Sequence, residues 1–125
     1  MRVLLIESDR FLADNLASIL KSAAHDVVWR TDLQAALEVI DDKKPDAIIL
    51  DLLLASRSGV EFLYEIRSYP EWHDLPVIIW SDLSQSELET LRASLKNLGI
   101  VSYHHKSTTK LKDLLEDLNL TTAPV

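Results

Sequence analysis

Asp46-Ala47-Ile48-Ile49-Leu50-Asp51 is a short apolar run closed at both ends by aspartate. It has no polar alternation, so it reads as a strand covered on both faces rather than one with a wet side. The pattern recurs upstream as Val3-Leu4-Leu5-Ile6 and downstream as Pro76-Val77-Ile78-Ile79-Trp80. Val27-Val28-Trp29 and the segment from Ile100 to His105 supply two further strands.

Helical periods fill the gaps. Leu12, Leu16, Ile19, Leu20 and Ala23 fall on one helical face behind Asp9, an N-cap residue. Thr31 or Asp32 caps a second helix whose inner face carries Leu33, Ala36, Leu37 and Ile40. Gly59 opens a third that buries Phe62, Leu63 and Ile66, and Pro70 ends that unit. Ser84-Gln85-Ser86-Glu87 has capping-box spacing, and Gly99 stops the helix that follows at about Leu98. A last short helix runs from Thr109 to Leu118. Five β–α units with all-apolar strands imply a parallel sheet with helices on both faces. The expected fold is a single doubly wound, five-stranded, flavodoxin-like α/β sandwich over residues 1–120. Residues 121–125 are expected to form a loose tail or the start of a linker.

The bulk numbers narrow the function. With 125 residues, 47% of them hydrophobic, the chain can build one real core. A net charge of -7 disfavours nucleic acid as a partner. Absence of cysteine excludes disulfides, thiol catalysis and thiolate metal sites. The apolar runs are too short for a membrane helix or a signal-peptide core, so the expected location is cytoplasmic.

In a doubly wound sheet, ligands meet the carboxyl ends of the strands. Those ends carry Glu7, Ser8 and Asp9 after the first strand, Asp51 after the third, Ser81 and Asp82 after the fourth, and Lys106 after the fifth. Each has an ordinary structural alternative. Asp51 can serve a turn, Ser81 the same, Lys106 can be a structural ion-pair partner, and Tyr103 can be half-buried packing. Their joint placement is what points to chemistry.

The constellation resembles the receiver domain of bacterial response regulators over essentially the whole chain. By that resemblance Asp51 is the phosphoacceptor, with Asp51-Leu52-Leu53-Leu54-Ala55 and Gly59 matching the surrounding motif. Ser81 is the hydroxyl residue, Lys106 the lysine and Tyr103 the aromatic switch. The resemblance also implies a magnesium ion held by Glu7, Asp51 and the backbone carbonyl of Leu53, with Asp9 a further candidate. The chain departs from the family pattern at Ser8, where a second acid is expected, which weakens the metal site. It departs at Asp82, which adds negative charge where a small residue is usual. There Asp82 is either a solvated loop residue or a second metal ligand. It departs at Ser107 and at Ala55, where prolines are usual. Leu53 and Leu83 stand at positions that tune dephosphorylation, and neither can position water. His104 and His105 point to opposite faces of their strand and read as structural or surface residues.

The resemblance implies a phosphorelay module, not an enzyme. It receives phosphate from a histidine kinase or phosphotransfer protein. It acts on a protein partner through helix four, strand five and helix five, a face that includes Tyr103, Lys110 and Lys112. A homodimer is among the assemblies this allows. The alternative is a phosphorylation-independent pseudo-receiver, an interaction module. An enzyme reading is poorer: Glu7-Ser8-Asp9 lacks phosphate-cradling glycines, and Leu53 stands where haloacid-type phosphatases have a second aspartate.

Overall fold

The computed structural model describes residues 1–54 and 58–121. Strands β1 (Arg2–Ile6), β2 (Asp26–Arg30), β3 (Ala47–Leu50), β4 (Val77–Ser81) and β5 (Ile100–His105) alternate with helices α1 (Arg10–Ser22), α2 (Leu33–Asp42), α3 (Gly59–Arg67), α4 (Gln85–Asn97) and α5 (Leu111–Thr121). The strands form one parallel sheet in the order β2-β1-β3-β4-β5. The expected α/β sandwich is therefore present.

Side chains of a strand alternate between faces, and this divides the apolar runs into two cores. Val3, Leu5, Ala47, Ile49, Ile78 and Trp80 face α1 and α5. Leu4, Ile6, Ile48, Leu50, Val77 and Ile79 face α2, α3 and α4. The runs are apolar throughout because both faces are dry.

The caps follow the sequence. Asp9 Oδ1 accepts from Leu12 N at 3.1 Å, and Asp32 Oδ1 accepts from Ala35 N at 2.9 Å, so Asp32 rather than Thr31 caps α2. Ser84 and Glu87 form the reciprocal capping box. Gly99 follows α4 with φ +66, a conformation that side chains disfavour.

Both boundaries of β4 and both of α5 differ from expectation. Pro76 lies outside β4, because proline has no N–H for the ladder and its carbonyl alone is used, by Ile48 N, while the far end extends to Ser81, which pairs with His105. α5 starts later, since the Thr108 and Thr109 amides both turn back to the His105 carbonyl. It also ends later: Thr121 closes the helix, its hydroxyl donating to Leu118 O at 2.7 Å. Ala55 and residues 122–125 fall outside the described residues.

Gly59 sits where α3 meets the end of β3. A Cβ there would lie 2.8 Å from Leu52 Cα and 3.0 Å from Asp51 O, both backbone atoms that cannot swing aside. Gly59→Ala should therefore cost about 1–3 kcal/mol. In a denaturant titration it should lower the midpoint with the slope unchanged.

Candidate functional site

The carboxyl edge of the sheet gathers one acid from β1, one from β3, a hydroxyl from β4 and an ammonium from β5. Parallel pairing sets Ile6 beside Leu50, so the next residues, Glu7 and Asp51, leave the sheet side by side. Asp51 N donates to Ile6 O at 3.0 Å, which fixes that adjacency. Glu7 is 0% exposed and Asp51 4%.

Among the described residues three donors hold Asp51. Its Oδ1 accepts from Leu53 N at 2.9 Å and from Ser81 Oγ at 2.6 Å, and its Oδ2 accepts from Lys106 Nζ at 2.7 Å. Ser81 is itself fully buried. The Lys106 ammonium also contacts Glu7 Oε1, bridging the two acids. Lys106 Nζ stands 5.4 Å from the centre of the Trp80 ring, whose face favours a cation.

Burial pushes the Glu7 carboxyl up from its ordinary value, and the Lys106 ammonium opposes that rise without cancelling it. For Lys106, burial disfavours the charge. The hydrogen bonds and charges of Asp51 and Glu7 together outweigh it and raise the ammonium. Tyr103 is raised, first by burial and then by the charges of Asp82 and Asp51.

The other candidates are placed differently. Tyr103 does not reach Asp51; its hydroxyl lies 3.5 Å from Ser81 O and 3.4 Å from Leu83 O, over the β4–α4 loop. Asp9 spends its carboxylate on the α1 cap, and Ser8 is exposed. Asp82 is exposed and faces the β5–α5 loop, where Ser107 Oγ donates to its Oδ1 at 3.3 Å. His104 Nε2 pairs with Asp117 Oδ2 on α5 at 2.6 Å, whereas His105 faces Asp82, so the two histidines do diverge.

The oxygens that could hold a cation are those the resemblance named, the Glu7 and Asp51 carboxylates and the carbonyl of Leu53, and hard oxygens of this kind suit magnesium. It is a reduced set. Among the described residues no group of three or more His, Cys, Asp or Glu side chains is placed to hold a metal.

One supporting contact carried no sequence signal. Trp29 Nε1 donates to Glu7 O at 2.7 Å, pinning the backbone of that acid from the edge strand. Nothing in Val27-Val28-Trp29 marks its tryptophan as a partner of a residue on another strand.

The response regulator receiver domain model matches residues 3–119. Response regulator RR06 of Streptococcus pneumoniae is 29% identical over 90 residues, 72% of this chain and 40% of that protein. Response regulator MprA of Mycolicibacterium vanbaalenii is 29% identical over 79 residues, 63% of this chain and 33% of that protein. The chain thus spans less than half the length of either relative. The BeF3-activated N-terminal receiver domain of Klebsiella pneumoniae RstA superposes with a TM-score of 0.84 at 27% identity, covering 99% of this chain and 100% of that one. The non-phosphorylated HemR receiver domain of Leptospira biflexa gives 0.82 at 25%, covering 99% and 95%. With its sheet order, its buried aspartate at the end of β3 and a family match across nearly its whole length, the chain belongs to the response regulator receiver domains of two-component systems.

Proposed function

We propose that Asp51 accepts a phosphoryl group from a histidine kinase or phosphotransfer protein in the cytoplasm and that the change is passed to a protein partner. The observation that carries this reading is the buried Asp51 carboxylate, which accepts from the Leu53 amide, the Ser81 hydroxyl and the Lys106 ammonium. A carboxylate oxygen of Asp51 attacks phosphorus, the bond to the donor's imidazole nitrogen breaks, and that nitrogen keeps the electron pair. Ser81 Oγ and Lys106 Nζ, which hold the carboxylate at rest, then turn to the phosphoryl oxygens. Glu7, Asp51 and the Leu53 carbonyl would hold magnesium weakly, and the ion would supply charge neutralisation.

The Tyr103 hydroxyl rests on the carbonyls of Ser81 and Leu83, so a shift of Ser81 moves its support. Tyr103 also lines a groove of about 550 Å³ between α4 and β5, with Leu88, Leu95 and Ile100. We place partner binding, or pairing with a second copy, on this α4–β5–α5 face.

The test is intact-mass spectrometry after incubation with acetyl phosphate and magnesium. One phosphoryl group should be gained, and Asp51→Asn should abolish it. No gain, with the fold intact, would favour the phosphorylation-independent reading. The bridging of both acids by Lys106, together with Ser8 in place of an acid, is what speaks for that second reading.

Leu53 is exposed beside Asp51 and Leu83 is buried, and neither can orient an attacking water. The phosphoryl group should therefore persist for minutes or longer at neutral pH. Its decay is followed by the same mass measurement, and loss within seconds would contradict this.

A further inference from the structure

Lys106 must place its ammonium on two carboxylates at once, yet the residue after it, Ser107, has no ring to fix its backbone. Four contacts surround the position. Lys106 N donates to Ser81 O at 3.0 Å. Ser107 N donates to His105 Nδ1 at 3.3 Å. Ser107 Oγ donates to Asp82 Oδ1 at 3.3 Å. His105 Nε2 stands 3.8 Å from the same oxygen. With Nδ1 accepting, the neutral ring carries its proton on Nε2, toward Asp82.

Both chain neighbours of Lys106 therefore converge on one carboxylate, and that carboxylate belongs to the residue after Ser81. The result is a closed ring. Ser81 and Asp82 form one side, Lys106 and Ser107 the other, and the Ser81 carbonyl and Asp82 carboxylate tie the two sides together. The two side chains that reach Asp51, Ser81 Oγ and Lys106 Nζ, hang from this ring. The Asp82 carboxylate also faces Ser107 and His105 rather than lying free beside Asp51.

We infer that Asp82 is a positioning residue. Through Ser107 and His105 it holds the β5–α5 loop so that the Lys106 ammonium is set against Asp51 and Glu7. The inference rests on the phosphoacceptor reading only for its consequence; the positioning itself is a property of the resting chain. A loop held from one side alone lets a long lysine sample other rotamers, and misplacement of an ångström is enough to slow group transfer.

The experiment is nuclear magnetic resonance of the 15N-labelled chain, observing the Lys106 ammonium cross-peak, which is detectable when an ammonium is held in a buried ion pair. The wild type should show it. Asp82→Ala and Ser107→Ala should lose or broaden it, while Asp82→Asn, which keeps the Oδ1 acceptor, should retain it. Isoleucine and leucine methyl spectra establish that each variant is folded. In parallel, phosphoryl uptake from acetyl phosphate should slow on the order of 10-fold in Asp82→Ala and recover in Asp82→Asn. An unchanged Lys106 cross-peak in both alanine variants would overturn the inference, as would its absence from the wild type. A cross-peak lost in the alanine variants of a chain that never takes up phosphate would support the positioning role and reject the phosphoacceptor reading instead.

Discussion

Lys106→Met should unfold at markedly lower denaturant than the wild type, with a loss of about 3–5 kcal/mol, the usual consequence of removing one partner from a buried charge cluster. Methionine keeps most of the apolar stem and removes the charge. The lysine side chain is only 9% exposed, and the acids it bridges are 0% and 4% exposed. Asp51 would keep the Leu53 amide and the Ser81 hydroxyl. Among the described residues, Glu7 would keep only a 3.3 Å bond from Asp9 N. Most of the penalty therefore falls on Glu7.

This makes the loss depend on pH with a definite sign. Burial already raises the Glu7 carboxyl above its ordinary 4.5, and the lysine is what opposes the rise. Without it the folded-state value climbs further. An acid raised on folding contributes stability that is fully present below its unfolded value and lost as pH rises through its folded value. The gap between Lys106→Met and the wild type should thus be widest near neutrality and close as pH falls toward 4.5. Glu7→Gln added to Lys106→Met should recover part of the loss at neutral pH. A gap that ignored pH would show that the acids are solvated after all.

Phe62→Ala should be comparably damaging for a different reason. Phe62 is among the largest fully buried side chains and lies in the core between the sheet and α2–α4. Its truncation removes apolar contact and leaves a cavity that neighbouring backbone cannot fill, at a cost of about 3–5 kcal/mol. Phe11 offers the comparison within one molecule: it is 72% exposed on α1, and Phe11→Ala should stay within about 0.5 kcal/mol of the wild type. Chemical denaturation of the pair separates the burial effect from any general intolerance to losing phenylalanine. Unlike the lysine variant, Phe62→Ala should not regain stability on acidification, because no charge is stranded.

The strands were legible because burial on both faces is written into consecutive residues: Ile48, Ile49 and Leu50 need no distant partner to be recognised. The caps at Asp9 and Ser84 were legible for the same reason, since donor and acceptor lie within one turn. The central site was legible through topology. Once the sheet is parallel, the residues at the carboxyl ends of the strands must arrive at one edge, and Glu7, Asp51, Ser81 and Lys106 did so. What escaped depends on side-chain reach across loops. Trp29 donates to a carbonyl 22 residues away, and Asp82 meets Ser107 25 residues on. Neither separation has a period or a motif. The start of α5 was placed too early, at Thr109, because the backbone turn that joins Thr108 and Thr109 to the His105 carbonyl has no mark in the sequence.

The strand order has a consequence for how the molecule comes together. β1 and β3 are neighbours, so Glu7 and Asp51 meet once the first half of the sheet has assembled. The lysine that neutralises them lies 55 residues after Asp51, at the end of the final strand to enter the sheet by chain order. Without β5 beside β4 the Lys106 ammonium would be missing, and the two buried acids would face one another with no cation between them. A chain cut before β5 should therefore keep a hydrated, negatively charged edge at the middle of its sheet, and removing β5 should cost more than the apolar contacts of one strand.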